Sequence, residues 1–372
     1  MAPLDPLSMG ARVAEARGRA GLTQAELAAS ASLDRSALAK IETGFRRLTA
    51  SELARIATAV DERIEWFVTD APPAIVSHRN VLEPGTASPE IDRIIDRVAR
   101  EVEFLGDQDD GLALPELPRL ERPSTATDAE AAAGKARALL DLDPRVPATG
   151  LAEVAARVGI LTFVFDLGSS AADAASVLLD RGAVAIVNGT LRGGRRRIAL
   201  AHEIAHCLFA DAYTVDHNVA EHADSDKWEG RLDRFARALL LPRAALLHEW
   251  TALRERDDTR TSAVKLASRF RVDMSTLARR LGEISQLDSA EERTIRTTRT
   301  TRADIVEYDL FAHEELPAPE LPRAYEQSVL RLYRGSTISA ARAADLLFDT
   351  WSEDDLPVLP TLPDDAIWSL IG

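Results

Sequence analysis

The chain has 372 residues, a formal net charge of −15, 46% hydrophobic residues and a single cysteine, Cys207. That length exceeds what one core serves, so two or three globular domains are expected; the acidic balance excludes a generally basic nucleic-acid coat, and the lone cysteine excludes an internal disulfide and fits a reducing compartment. No apolar run of about 18 residues occurs, nor a charged start followed by an apolar core, so neither a membrane span nor a signal peptide is read and the expected location is the cytoplasm.

The front of the chain departs from the acidic average. Residues 8–60 carry eight basic side chains against five acidic ones, and five short helices are predicted, at about 10–20, 24–29, 35–42, 51–60 and 63–67. Thr23 and Glu26 form a capping box opening the second, and Gly21 stands just past the first. The run GLTQAELAASASLDRSALAKIETG closely resembles the helix-turn-helix of XRE (Cro/repressor-type) regulators. The resemblance implies that Gln24 binds backbone phosphate and that Arg35, Ser36 and Lys40 on the third helix enter the major groove of a double-stranded operator. This domain is expected to span residues 1–70.

Ala71-Pro72-Pro73 ends it, because the residue before a proline is driven away from helix. A connector over 71–127 follows. It contains an amphipathic helix at 89–105, apolar at Ile91, Ile94, Ile95, Val98, Val102 and Leu105, and a Pro-spaced linker at 106–127. His78 and Arg79 in this connector read as solvated polar residues.

From residue 128 the pattern changes. Thr127 and Glu130 read as a capping box before an Ala-rich helix to Leu140, and a second helix over 151–158 is stopped by Gly159. Three apolar, β-branched runs at 160–165, 176–179 and 183–187 read as strands, with Asp180-Arg181-Gly182 as the turn between the last two. The fold class is therefore mainly α with a small β-sheet in this domain (α+β), behind an all-α helix-turn-helix domain. An edge strand of that sheet offers unpaired backbone groups that hold an extended peptide without reading its side chains.

The next helix carries the chemistry. In RIALAHEIAHCLFA, His202 and His206 differ by about 40° around a helix and rise one turn, so both imidazoles reach one ion, while Glu203 lies about 100° from His202 as a carboxylate beside the metal and not on it. Two neutral nitrogens, an open position and a general base are what zinc hydrolysis needs. A second helix-like run, WEGRLDRFARALLL closed by Pro242, places Glu229, Leu232, Asp233, Ala236 and Leu240 on one face, with Glu229 at its entrance end as candidate third ligand. Cys207, about 140° around the helix from His202, reads as an inert buried thiol.

ALAHEIAHCLF followed by EGRLDRFARALLLP resembles the ImmA/IrrE family of zinc metallo-endopeptidases, whose second segment has the form E-x-x-A-[DN]-x-F-A-x-x-L-L-x-P. The resemblance implies His202, His206 and Glu229 as zinc ligands and Glu203 as base, with Leu232 in place of the usual alanine. Between the two segments Tyr213, His217 and His222 are polar residues able to face an oxyanion, of which Tyr213 is the candidate stabiliser. Arg195, Arg196 and Arg197 read as a solvated turn. The peptidase domain is expected to span 128–285, ending in a helix-turn-helix-like pair at 263–270 and 274–284 that covers the core. A helical C-terminal region at 286–372 is expected to hold an exposed Thr/Arg connector at 293–302, two helices between 323 and 357 and a docked arm.

Together these readings imply a regulator that binds an operator as a homodimer and cleaves a protein, a helix-turn-helix repressor by the resemblance, in a stress or mobile-element response. The alternative is a one-component transcription factor whose peptidase-like domain is a non-proteolytic ligand sensor or dimerisation module.

Overall fold

The computed structural model describes residues 5–60, 62, 64–68, 76–79, 89–210, 222–285, 287–310 and 315–359. The chain divides into two compact units, Met1–Ala74 and Ile75–Gly372.

The first unit is all helical: α1 (Pro6–Arg19), α2 (Gln24–Ser30), α3 (Arg35–Glu42), α4 (Ala50–Ala59) and α5 (Ile64–Val68). Thr23 and Glu26 cap α2 reciprocally, as the sequence suggests, and Thr49 with Glu52 does the same for α4. Val13, Leu27, Leu38, Ile41, Ile56 and Phe67 close its core. Contact between α1 and α3 depends on Gly10, where a Cβ would lie 2.2 Å from the Ile41 carbonyl oxygen.

The second unit is a three-layer sandwich around one sheet. Its strands are β1 (Val76–Arg79), β2 (Ile160–Phe165), β3 (Ala174–Leu178) and β4 (Ala183–Asn188), in the order β1-β3-β4-β2. β2 and β4 are parallel; β3 runs antiparallel to β4, and β1 antiparallel to β3. The three later strands match the apolar runs in the sequence, whereas β1 arises in the connector, where no strand is expected.

Alternate residues separate the two faces, as a period of two requires. Ile160, Val164, Ala174, Ala185 and Val187 join one core; Leu161, Phe163, Val177, Val184 and Ile186 join the other. The first face packs against α7 (Ala126–Leu139), α8 (Leu151–Arg157), α9 (Gly193–Leu208), α10 (His222–Leu240), α11 (Arg243–Arg254), α12 (Thr259–Phe270) and α13 (Met274–Ile284), with α14 (Ser289–Thr297) and α15 (Arg302–Glu307) beyond. The second lies under α6 (Pro89–Gln108), α16 (Arg323–Arg334) and α17 (Ala340–Leu346). The amphipathic helix of the connector is thus a cover of the sheet.

Several local expectations are corrected. The capping box of α7 is Thr125 with Asp128, two residues earlier than Thr127 and Glu130, and Glu130 instead receives Arg280 at 2.7 and 2.5 Å. The Pro-spaced stretch after α6 is docked, since Leu112 is buried and the Leu120 amide donates to the Leu208 carbonyl at 2.8 Å. Arg195, Arg196 and Arg197 are helical, not a solvated turn: Arg195 grips Asp173 through two bonds of 2.9 Å, and Arg197 is buried against Glu315 and the Ala148 carbonyl. Burial, with the charge of Arg271, brings the Arg197 guanidinium down to about 9. Much of the Thr/Arg stretch belongs to α14, which Asp288 caps.

On α13 only Ser275, Arg279 and Gly282 are exposed, and Arg280 is wholly buried, so the second helix-turn-helix-like pair serves as a core cover. The helical residues 323–334 and 340–346 agree with the two C-terminal helices expected.

Candidate metal centre

The site is built on two packed helices, α9 and α10. α9 starts at Gly193, and a Cβ on Gly194 would lie 2.4 Å from the Asp273 backbone nitrogen, so the helix start fits against the turn between α12 and α13 only without a side chain there. From Arg196 to Leu208 every residue of α9 is buried, because it runs between the sheet and α10.

On this helix His202 and His206 turn the same way, with their Nε2 atoms 3.1 Å apart. The Glu229 carboxylate reaches across from α10, 3.2 Å from His202 Nε2 and 3.9 Å from His206 Nε2. These three residues form a group whose ligand atoms all lie within 4.8 Å of one another. Burial raises the Glu229 carboxyl, but the hydrogen bond and charges of the two histidines outweigh it and hold the group below the ordinary carboxylate value. A tetrahedron with arms of about 2.0–2.2 Å has edges of roughly 3.3–3.6 Å, so the donor set and its spacing fit zinc.

Two further residues complete the arrangement. Asp233, one turn beyond Glu229, lies with Oδ1 3.1 Å from His202 Nδ1, placed to accept a proton from that nitrogen while Nε2 faces the group. Asp233 is in turn 3.6 Å from Arg237, whose guanidinium is held by Glu283 at 2.7 Å. Glu203 is wholly buried; its Oε2 accepts from Ser176 Oγ of β3 at 2.6 Å, and among the described residues its Oε1 meets no donor. A carboxylate oxygen kept from water without a partner is costly, and it marks a place where a proton donor belongs.

Sequence reasoning brought His202, His206, Glu203 and Glu229 to one place. It put Asp233 on the right face without a role and missed Ser176, although a lone hydroxyl in the buried strand AASVL needs a partner and was a usable signal. Leu232 is buried in the core, filling the position where the related pattern has alanine. Cys207 is buried, and burial, then the Glu203 charge, pushes its thiol up to about 12, which keeps it protonated and inert. Tyr213 and His217 lie outside the described residues, as do the side chains of His222, His78 and Arg79.

In the first unit Arg35, Ser36 and Lys40 are all exposed on α3. Gln24, at the start of α2, is half-buried and donates through Nε2 to Glu42 at 2.7 Å; Glu42 is also held by Arg17 at 2.6 Å. Among the described residues no helix is long and apolar enough to cross a membrane.

Residues 155–282 match the family described as the IrrE N-terminal-like domain, Peptidase_M78, and residues 8–61 match a helix-turn-helix domain family. Among solved structures, the restriction-modification controller protein C.AhdI from Aeromonas hydrophila is 33% identical over 16% of this chain and 92% of its own, with a TM-score of 0.16. A Mycobacterium tuberculosis transcriptional regulator is 19% identical over 52% of this chain, with a TM-score of 0.31, and the match spans 53% of that regulator's length. Structural likeness this partial carries no weight for function. No curated protein matches the chain. Residues 8–61 are thus a helix-turn-helix domain of the XRE type, fused in one chain to an IrrE-like domain of the M78 peptidase family at residues 155–282.

Proposed function

We propose that the chain is a DNA-binding transcriptional regulator whose second unit is a zinc-dependent endopeptidase, cutting a helix-turn-helix repressor in a stress or mobile-element response. One observation carries this reading: His202, His206 and Glu229 converge beside a buried carboxylate, Glu203, that has an unpartnered oxygen among the described residues. His202, His206 and Glu229 would hold the ion, with Asp233 orienting His202. A zinc ion held there would supply Lewis-acid activation. Ser176 fixes Glu203 by Oε2, so proton transfer falls to Oε1, which takes a proton from the attacking water and returns it to the departing amine.

The first unit supplies the address. Arg35, Ser36 and Lys40 are the side chains for base edges, and Gln24, already drawn toward Glu42, contributes its remaining polar groups to the phosphate backbone. An excess of only three positive charges binds DNA weakly in one copy, so a homodimer on half-sites about 34 Å apart is the expected binding form.

Glu203→Gln tests the reading because it keeps shape and removes the base. It is expected to retain zinc and operator binding and to lose at least about a hundredfold in cleavage of a helix-turn-helix repressor. Gene control that survives Glu203→Gln, with no repressor cleaved by the parent protein, overturns the peptidase and leaves a sensor.

A further inference from the structure

The edge of the sheet nearest the metal-ligand group is filled by the chain itself. β1 pairs with β3 so that Val76 stands opposite Val177, Ser77 opposite Ser176, His78 opposite Ala175 and Arg79 opposite Ala174. β4 occupies the other side of β3, so with β1 in place both rows of β3 backbone groups have a strand beside them. Ser176, at the middle of this pairing, is the residue whose hydroxyl holds Glu203. β1 also packs against α9, the helix that carries both histidines.

An extended peptide binds a cleft of this kind by adding a strand to the sheet edge, because backbone donors and acceptors pair with any sequence. Here the edge that leads to Glu203 is β3's, and the added strand is already present. It comes from outside residues 155–282 and follows α5 of the helix-turn-helix unit after residues 69–75 alone.

We propose that β1, Val76–Arg79, is an internal pseudosubstrate: it holds the β3 edge closed, and an extended peptide reaches the His202–His206–Glu229 group only when β1 leaves that edge. Its consequence for cleavage rests on the peptidase reading; the competition for the edge does not. A strand tethered by a short linker competes at an effective concentration on the order of millimolar. Peptides at micromolar concentration therefore bind β3 poorly while β1 is paired. Among the described residues the pairing is four residues long, short enough to be displaced.

The test uses the full-length chain carrying Glu203→Gln, so that nothing is cut, and a fluorescein-labelled peptide of residues 74–81 followed by anisotropy. Ser77→Pro with His78→Pro removes a backbone donor in either phase of the ladder and is expected to raise peptide affinity at least tenfold. Val76→Cys with Val177→Cys joins directly opposed residues, whose spacing in an antiparallel pair suits a disulfide. Cys207 is the only native cysteine and is buried, so it stays out of the exchange. The oxidised form is expected to show no peptide binding, and reduction to return it to the parent value, which also serves as the folding control. Equal binding by oxidised and reduced forms, as when a peptide adds outside β1, overturns the proposal. So does a proline variant that is folded by circular dichroism and binds no better than the parent. Binding in the expected order, with no repressor cleaved by the parent chain that keeps Glu203, supports the proposal and overturns the peptidase reading alone.

Discussion

Asp233→Ala removes the carboxylate that meets a proposed ligand, His202, on its far side. Asp233 Oδ1 lies 3.1 Å from His202 Nδ1 and is well placed to fix the ring's tautomer and angle. Losing such a partner costs ten- to a hundredfold in metal affinity. The Asp233 side chain is 37% exposed, so water replaces part of what it supplies, and the expected loss sits at the lower end, about tenfold or about 1.4 kcal/mol. The fold itself is expected to change little, because Arg237, a second neighbour, keeps Glu283 at 2.7 Å. Asp233→Asn leaves an amide oxygen to accept from the same nitrogen and is expected to stay within about threefold of the parent. Zinc affinity is read by competition with a fluorescent chelator at pH 7, with a thermal melt of the metal-free protein alongside. An alanine variant that binds zinc as the parent does refutes the orienting role. One that loses affinity only in proportion to its melting temperature refutes the claim that the effect is local.

Two expectations concern the helix-turn-helix unit. Gly10→Ala places a carbon 2.2 Å from the Ile41 carbonyl oxygen, so α1 and α3 are forced apart; destabilisation of about 1–3 kcal/mol is expected in urea unfolding, with weaker operator binding because α3 carries Arg35, Ser36 and Lys40. The Glu52 carboxyl is lowered to about 2, first by the Thr49 amide and then by Arg46. A depressed carboxyl contributes stability that is present above its unfolded value, near 4.5, and is lost as pH falls toward 2. The urea midpoint of this unit should therefore drop across that window, and Glu52→Gln should flatten the drop; an unchanged profile counts against the cap as its source.

The features legible in the sequence are those set by local physics. The capping box at Thr23, the apolar strands and the one-turn spacing of His202 and His206 need no knowledge of distant residues, and each stands where the pattern places it. Glu229 was reachable because an acid at the end of an apolar stripe invites a partner. What stayed hidden depends on pairing at long range. β1 is four residues in a Pro-bounded connector, and nothing local says that β3 has a vacant edge for it. Glu130 looks like a cap from its spacing to Thr127, yet its partner Arg280 lies 150 residues away. The three arginines at 195–197 read as surface because charge is usually solvated, whereas Asp173 and Glu315 meet two of them inside the fold.

The sheet has two covered faces; one cover draws mostly on residues 155–282, with α7 and most of α8 added from before that segment, whereas the other comes from outside it. The other is made of α6 from before that segment and α16 and α17 from after it, joined to each other by Arg97 with Asp345, Arg331 with Asp109 and Arg342 with Glu101. Cut at the family boundaries, the segment would keep every proposed ligand and bare Leu161, Phe163, Val184 and Ile186 to water. At about 1.5–3 kcal/mol each, those four side chains alone amount to roughly the whole stability of an ordinary domain. The matched segment is therefore no cassette: gene rearrangement that moved it to another protein would have to carry both flanks to keep its sheet covered.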